Sequence, residues 1–363
     1  MAAIEYPSTP ASIPLHHHQA TMEASRSSDA ERRRKEENLA TAKANVQRII
    51  QLYNSGKPLF TRTLLKDLHE QIIQGKDKVK IPTWNDEAKT YSLKVPKDLA
   101  ERWQVQSAPI RHSLSIQRLT MLHTHLLDLL LDPPTPVSIV YVRDPSPAGV
   151  TLKVIDDTFK LVRREWQESE TCSNLEGSFV KPRFDPEAIT ITKIVAFGLG
   201  TLGKNNLGKL PVRSYAQHAA TLTIAAVLKE RNISQGVDVQ CFAQDPWYNE
   251  TDIEFLGGLG ITVLKDPEGF LEIDEQTLVF SVGPDVPVRQ IVADVQWPAA
   301  MVWNSPLSEV QINGGMYWAR SPMEADPDSE RVGSMLRNYD GAQLDDQADY
   351  LGELTVYARK PRS

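Results

Sequence analysis

Three glycines at one turn are the residues in this chain best suited to holding a ligand. Gly198, Gly200 and Gly203 form the pattern G-x-G-x-x-G directly after the apolar run Ile194–Phe197. Glycines at this spacing allow a tight turn and let a phosphate or an adenosyl group approach the backbone closely. The pattern therefore predicts a cofactor site. The alternative is that the glycines only turn the chain at the edge of a sheet.

The segment after these glycines departs from the dinucleotide-binding fingerprint. The fingerprint opens directly into its helix, whereas residues 204–211 intervene here and end in a proline, Pro211. The glycine loop thus predicts a small-molecule ligand without identifying it. From the sequence, the cofactor is unknown.

An aspartate follows the next predicted strand. Asp245 falls at the end of the strand predicted at 237–243, where an acidic side chain can accept hydrogen bonds from ribose hydroxyls in nucleotide and S-adenosylmethionine sites. Its spacing from Gly198 is longer than usual, and the inserted segment accounts for the difference. In the alternative role, Asp245 and Pro246 form a turn into the following helix and the aspartate caps its amides. The sequence leaves both roles open.

No conventional catalytic motif accompanies the glycine loop. The chain contains no G-x-S-x-G elbow, no H-E-x-x-H pair and no Walker sequence. His218 falls on the helix after the loop, where it faces the loop, the core or solvent. Cys241 lies inside a predicted strand, which favours a buried and inert thiol. The sequence therefore predicts a binding site and leaves open whether the chain is an enzyme.

Alternating strands and helices position these residues. Strands are predicted at 189–197, 237–243, 261–264, 277–282 and 301–303, with helices at 214–231 and 250–259. The nearly continuous apolar end of the first strand is typical of a strand covered on both faces. This order predicts an α/β fold with a Rossmann-like, mostly parallel sheet flanked by helices.

The residues before the sheet predict a helical N-terminal extension. Residues 1–28 are rich in Pro, Ser, Ala and Thr and are predicted to be a disordered tail. Helical periodicity occurs at 29–54, 61–74, 115–131 and 157–168, and extended segments at 78–81, 90–95 and 137–142. We expect residues 29–185 to pack on the core. Residues 307–363 are predicted to form an acidic loop and an edge strand at Leu354–Ala358.

Composition limits the partners and the compartment. The net charge of −7 argues against a broad nucleic-acid surface. No apolar run approaches the roughly 20 residues that span a bilayer. The two cysteines, Cys172 and Cys241, lie too far apart for a CxxC-type metal site, and no secretory signal opens the chain. We predict a soluble cytoplasmic or nuclear protein with a small-molecule ligand or protein partners, and without nucleic acid, membrane or metal.

Several of these segments together resemble the sensitivity-to-red-light-reduced (SRR-like) domain family. The segment Phe197–Gly200 is similar to the family's Y/F-G-L-G turn, and Asp245-Pro246 to its D-P segment. Further matches are Gln217 and Ala219 for the Gln-x-Ala element, Asp252, Leu256, Leu259 and Gly260 for an acid followed by L-x-x-L-G, and Asn304-Ser305. The acid is Asp252 where the family commonly has Glu. On this resemblance the domain covers residues 186–306 of a divergent, fungal-like member.

The resemblance implies regulation rather than a shared reaction. Relatives are linked to light signalling and circadian timing, to haem-dependent regulation and to microtubule-related processes. The family's M-P-H-C block falls near Val282–Asp285, where this chain has neither His nor Cys, so a thiol, imidazole, haem or metal role is not carried over. The candidate cofactor-binding residues are Gly198, Gly200, Gly203, Asp245 and Asp252. Two functions stay open: a regulatory or interaction protein, and a nucleotide- or S-adenosylmethionine-dependent enzyme.

Overall fold

The described part of the N-terminal half consists of helices and two two-stranded antiparallel sheets. A computed structural model describes residues 16–83, 87–103, 110–116, 135–143, 150–180, 184, 190–203, 209–232, 236–304, 325–326 and 328–361. The first elements are α1 (His16–Asn54), α2 (Arg62–Ile73), β1 (Lys78–Pro82), β2 (Ala88–Ser92), α3 (Lys97–Trp103), β3 (Ile110–Ile116), β4 (Val137–Arg143), α4 (Leu152–Gln167) and α5 (Glu170–Val180). The two sheets are β1-β2 and β3-β4. Threonine N-caps begin two of these helices, Thr61 for α2 and Thr151 for α4.

The second half contains the main sheet and its helices. In chain order the elements are β5 (Lys193–Phe197), α6 (Val212–Asn232), β6 (Gln240–Gln244), α7 (Glu250–Gly258), β7 (Ile261–Val263), α8 (Glu268–Glu272), β8 (Thr277–Ser281), α9 (Val288–Val295), β9 (Ala300–Asn304), α10 (Glu330–Leu336), β10 (Tyr339–Gln343) and β11 (Leu354–Arg359). The seven strands lie in the order β10-β11-β9-β8-β5-β6-β7. Five of them, β5 to β9, are parallel, and β10 and β11 are antiparallel additions.

The strand order reverses beside β5. From β5 the chain continues to β6 and β7 on one side, and it returns to β8 and β9 on the other. In open α/β sheets, ligands bind at such a switch point, outside the carboxyl ends of the strands. The predicted α/β fold with a mostly parallel sheet flanked by helices is confirmed.

Both faces of the sheet are covered, which explains the uninterrupted apolar run in β5. Ile194 and Ala196 pack into a core formed with α4, α5, α6 and α7. Val195 and Phe197 pack on the opposite face against residues of α1, α2, α8, α9 and α10. The N-terminal helices therefore complete one of the two layers that cover the sheet.

Three predicted segments differ in detail. The strand at Leu354–Ala358 is present, but it lies between β9 and β10, so β10 occupies the sheet edge. The predicted helix 115–131 lies mostly outside the described residues, and its first two residues, Ser115 and Ile116, end β3 instead. Helix α1 begins at His16, within the predicted disordered tail, and residues 1–15 lie outside the described residues. Among the described helices, none is both long and apolar enough to cross a membrane.

A partly buried ion pair joins α1 to the helices that cover the main sheet. The Arg331 guanidinium on α10 donates to Asp294 Oδ1 at 2.9 Å and to the carbonyl of Tyr53 at 2.8 Å, and it stacks 4.1 Å from the Tyr53 ring centroid. Asp294 Oδ2 also accepts from the amides of Leu59 and Phe60. We call Arg331, Asp294 and Tyr53 the junction, because they join the N-terminal helices to α9 and α10.

Candidate functional site

Two of the three glycines are required by the backbone and its neighbours. Gly198 and Gly200 have φ angles of +68° and +75°, which residues with a side chain rarely adopt. A Cβ at Gly198 would lie 2.6 Å from Cα of Pro284, and one at Gly200 would lie 2.6 Å from Oγ of Ser214. Gly203 does not have a positive φ. The first two glycines therefore hold a turn that packs against the loop after β8 at Gly198 and against α6 at Gly200.

Asp245 binds the glycine loop directly. Its Oδ2 accepts a 2.7 Å hydrogen bond from the Gly200 amide, and its Oδ1 accepts a 2.8 Å bond from the Trp247 amide. The bond to Trp247 forms the turn that leads towards α7. The N-cap of α7, however, is Asn249 rather than Asp245. Asp245 therefore joins the ends of β5 and β6 and does not cap the helix.

Asp252 holds the other half of the same loop. Its side chain is fully buried and accepts from the Thr201 hydroxyl at 2.7 Å and from the Leu202 amide at 3.0 Å. It also accepts from the Asn249 amide, which completes a capping box at the start of α7. Asp252 thus fixes the glycine loop to α7.

These contacts occupy amides that a phosphate would need. The Gly200 and Leu202 amides donate to the two aspartates, and the Gly203 amide donates to the Thr201 hydroxyl at 2.9 Å. In a phosphate-binding glycine loop, such amides donate to the anion. Three amides of this loop are instead satisfied within the protein.

A cleft lies at the switch point, beside the glycine loop. Its volume is about 130 Å³, below the roughly 300–1,000 Å³ of sites that enclose a drug-sized ligand. Its lining residues come from the carboxyl ends of the parallel strands and are Phe197, Gly198, Gly200, Gln244, Asp245, Pro246, Trp247, Asp266, Gly283, Pro284, Asp285 and Val286. The structure thus brings Gly198, Gly200 and Asp245 together at the cleft, while Gly203 and Asp252 lie behind it.

The ionisable groups of this cleft are carboxyls. Among its described lining residues, Asp245, Asp266 and Asp285 are acidic and none is Lys, Arg or His. Burial raises the pKa of Asp245 to about 6 and the pKa of Asp266 to about 7. Hydrogen bonds from Trp247 and Gly200 to Asp245, and from Gln244 to Asp266, oppose these shifts. Near neutral pH the cleft therefore carries negative charge that its own lining does not neutralise.

Neither His218 nor Cys241 is among the residues that line the cleft. His218 is buried, with Nε2 2.8 Å from the Tyr248 hydroxyl and Nδ1 2.6 Å from the Ser214 carbonyl. Burial lowers its pKa to about 4 and raises the pKa of Cys241 to about 11. Both groups are therefore uncharged at neutral pH. Within the described ranges, no cluster of His, Cys, Asp and Glu is arranged to hold a metal ion.

Among the residues that line the cleft, the sequence-based prediction did not include three with carboxyl or carboxamide side chains. Gln244, Asp266 and Asp285 follow or end strands β6, β7 and β8, whose carboxyl ends meet at this edge. The signal that could have identified these three residues is their position, because each ends or follows a predicted parallel strand. Among the polar residues at these strand ends, only Asp245, after the strand at 237–243, was predicted as a site residue.

Comparison with protein-family models gives the family. Residues 165–357, more than half of the chain, match the SRR1 domain. The chain belongs to the SRR1 domain family. The SRR1 match extends on both sides of the predicted range 186–306, from within α4 to within β11, and it includes the glycine loop, Asp245 and Asp252. A search of curated proteins finds no match to the chain.

Proposed function

We propose that the chain is a regulatory SRR1-domain protein that binds a small, positively charged ligand without phosphate groups in the cleft. The observation that carries the proposal is the lining of the cleft, in which Asp245, Asp266 and Asp285 are the ionisable residues. A buried carboxylate is stabilised by an opposite charge within about 4–6 Å. A cationic ligand would supply that charge.

The glycine loop supports the absence of phosphate. Its Gly200 amide is held by the Asp245 carboxylate, so a phosphate at this turn would have to displace an anion and then lie beside it. A phosphate and a carboxylate side by side repel each other strongly where water is excluded. The regulatory assignment rests on the family resemblance.

A second candidate function is an S-adenosylmethionine-dependent enzyme. The observation that favours it is the position of Asp245 at the carboxyl end of β6, the strand next to β5. In dinucleotide-binding folds, an acid near this position binds ribose hydroxyls. Each Asp245 oxygen accepts one protein hydrogen bond, and a carboxylate has capacity for further donors.

We also propose that the protein acts in the cytoplasm or the nucleus and engages protein partners rather than nucleic acid. The net charge of −7 supports this proposal, because a nucleic-acid surface needs clustered basic residues. Fluorescence microscopy of a tagged full-length chain tests the compartment, and a secreted or membrane-bound signal would contradict it.

Calorimetric titration of the full chain tests the ligand class. We expect spermidine and agmatine to bind at pH 8 and to bind more weakly at pH 5.5, because protonation of Asp245 and Asp266 removes the negative charge. Nicotinamide dinucleotides, inorganic phosphate and haem should give no heat. Binding of S-adenosylmethionine that is lost in Asp245→Asn, without binding of spermidine or agmatine, would favour the second candidate, and tight binding of a phosphate-bearing ligand would overturn the proposal.

A further inference from the structure

We infer that the cation held in the cleft is a guanidinium group, either of a free metabolite or of an arginine side chain. This inference rests on the proposed function and specifies its ligand. Four separate observations support a guanidinium: the balance of donors and acceptors, an aromatic side chain at the rim, an unpartnered buried hydroxyl, and the arginine partners of two other buried aspartates, Asp294 and Asp326.

The cleft offers acceptors and few donors. The Asp245, Asp266 and Asp285 carboxylates accept hydrogen bonds when ionised. The Gln244 amide is already used at both ends, because its Nε2 donates to Asp266 Oδ1 at 3.1 Å and its Oε1 accepts from the Gly269 amide at 2.7 Å. A matching ligand is rich in donors and lacks acceptors. A guanidinium provides five N–H donors in one plane, compared with three for an ammonium.

An aromatic side chain lies at the rim of the cleft. Trp247 is 45% exposed, and its Nε1 lies 3.5 Å from Asp285 Oδ2. A partly exposed indole beside a carboxylate suits a planar cation, which can stack on the ring while it donates to the carboxylate. An ammonium can approach the ring, but it cannot stack on it.

A buried hydroxyl beside the cleft has no partner. Ser281 is 1% exposed, and its Oγ has no hydrogen bond in the described structure. In the parallel register Ser281 pairs with Phe197, which lines the cleft. By strand alternation its side chain shares the face of Val279, the face on which Phe197 packs. An unsatisfied buried hydroxyl is unfavourable, and it adds an acceptor next to the cleft.

Two other buried aspartates of the chain are neutralised by guanidinium groups, whereas the fully buried Asp252 accepts from a hydroxyl and two amides. Asp294 is paired with Arg331 at 2.9 Å, and Asp326 is paired with Arg289 at 3.3 Å. No described lining residue provides such a group in the cleft. A ligand guanidinium would complete the same type of pair, and the small cleft would leave the remainder of the ligand in solvent.

The test compares matched cations on the full-length protein at pH 8 by calorimetry. We expect agmatine to bind at least tenfold more tightly than putrescine, which carries an ammonium in place of the guanidinium. Asp285→Asn should weaken agmatine binding about tenfold, because Asp285 is an exposed rim carboxylate. Asp340→Asn, an exposed aspartate on the edge strand β10, is the matched control and should leave the affinity unchanged.

Two further variants separate binding from folding. Trp247→Leu should weaken agmatine and leave the melting temperature within about 1 °C, since the indole is largely at the rim. Ser281→Ala should also weaken agmatine, although removing an unpartnered hydroxyl should not lower the stability of the free protein. Unchanged agmatine affinity in both Asp285→Asn and Trp247→Leu would place the binding elsewhere and overturn the inference.

A second pair of probes distinguishes a guanidinium of a free metabolite from that of an arginine in a protein partner. Agmatine is compared with a blocked Gly-Arg-Gly peptide, and the matched Gly-Lys-Gly peptide is the control. Preference for agmatine supports a metabolite, and preference for the arginine peptide supports a protein partner. Equal or tighter binding of putrescine would overturn the guanidinium inference and leave the proposed function standing. No binding of any cation would overturn both.

Discussion

The junction and the cleft both bury aspartates, but they satisfy them differently. At the junction, Asp294 accepts two backbone amides and is paired with Arg331, so the carboxylate has its counter-charge inside the fold. In the cleft, Asp245 also accepts two backbone amides, but no basic residue is among the described residues around it. An unpaired buried charge is costly. The Asp294 carboxylate is therefore satisfied within the fold, whereas the Asp245 carboxylate can still gain a counter-charge from a cationic ligand.

The strongest test of this comparison removes the counter-charge at the junction. Arg331→Met leaves Asp294 buried without its partner and removes the donors to the Tyr53 and Lys57 carbonyls. We expect the free energy of unfolding, measured by urea denaturation, to fall by about 3–5 kcal/mol. Arg337→Met, at the exposed end of the same helix, is the control. Equal stability of the two variants would show that the junction is not needed for the fold.

The next test concerns the acid behind the cleft. Asp252→Ala leaves the Thr201 hydroxyl and the Leu202 and Asn249 amides without their acceptor. We expect a loss of about 2–4 kcal/mol in the free energy of unfolding, measured in the same way. Glu254→Ala, on the exposed side of α7, should change it by less than about 0.5 kcal/mol. A loss no larger than that of the control would mean that Asp252 is not a structural acid.

A third test uses pH to distinguish the unpaired acids. The pKa of Asp266 is about 7 in the folded protein and 3.8 as the ordinary value. Between these pH values the folded state retains a proton that the unfolded state has lost, so this group's contribution to stability falls as pH rises from about 4 to about 7. Asp266→Asn removes the titrating group and therefore this loss. We expect the free energy of unfolding of the variant, compared with that of wild type, to be more favourable at pH 8 than at pH 5 by on the order of 1 kcal/mol.

Urea denaturation of wild type and variant at both pH values measures this difference. Asp340→Asn, which replaces an exposed aspartate, should show the same difference from wild type at pH 5 and pH 8. If Asp266→Asn behaves like that control, Asp266 carries no raised pKa and the cleft is better solvated than its geometry indicates.

The smallest effect is expected at the far end of α1. The described α1 side chains from residue 30 to residue 41 are exposed or partly exposed, and the first buried one is Ala42, ahead of the junction contacts near Tyr53. Deleting residues 1–28 should therefore change the free energy of unfolding by less than about 0.5 kcal/mol. A melting temperature several degrees lower would show that the predicted disordered tail packs on the domain.

The sequence was informative wherever a local pattern decides the structure. The apolar run at the end of β5 and the alternation that follows it predicted the parallel strands, because burial on both faces requires apolar residues at successive positions. The same pattern predicted Asp245 at the carboxyl ends of the parallel strands, where the structure has it. Asn249 and Asp252 also form a local N-x-x-D pattern. This pattern is sufficient to predict the capping box at the start of α7, although the sequence-based prediction did not include it.

The remaining features depend on contacts that are distant in sequence. Arg331 reaches the Tyr53 carbonyl across 278 residues, and no local pattern indicates that pair. Strand β10 contains Asp340, Gly341 and Gln343, and Asp and Gly are depleted in strands. It forms because β11 provides a partner, and Gly341 faces Tyr357 in the register, where a Cβ would lie 2.7 Å from the ring. The reason for a glycine at position 341 is therefore visible only in the structure, where the Tyr357 ring leaves no room for a Cβ.

The contact between Gly198 and Pro284 has a practical consequence for chemical probes. Gly198 and Pro284 both line the cleft, and a Cβ at Gly198 would lie 2.6 Å from Cα of Pro284, so this wall has no room to widen. On the proposed binding of a guanidinium, the remainder of the ligand extends past the exposed side chains of Trp247 and Asp285. A guanidine tethered to a resin through its far end should therefore still retain the protein. Linker length should matter little beyond the first few atoms, and a bulky substituent next to the guanidine itself should abolish retention.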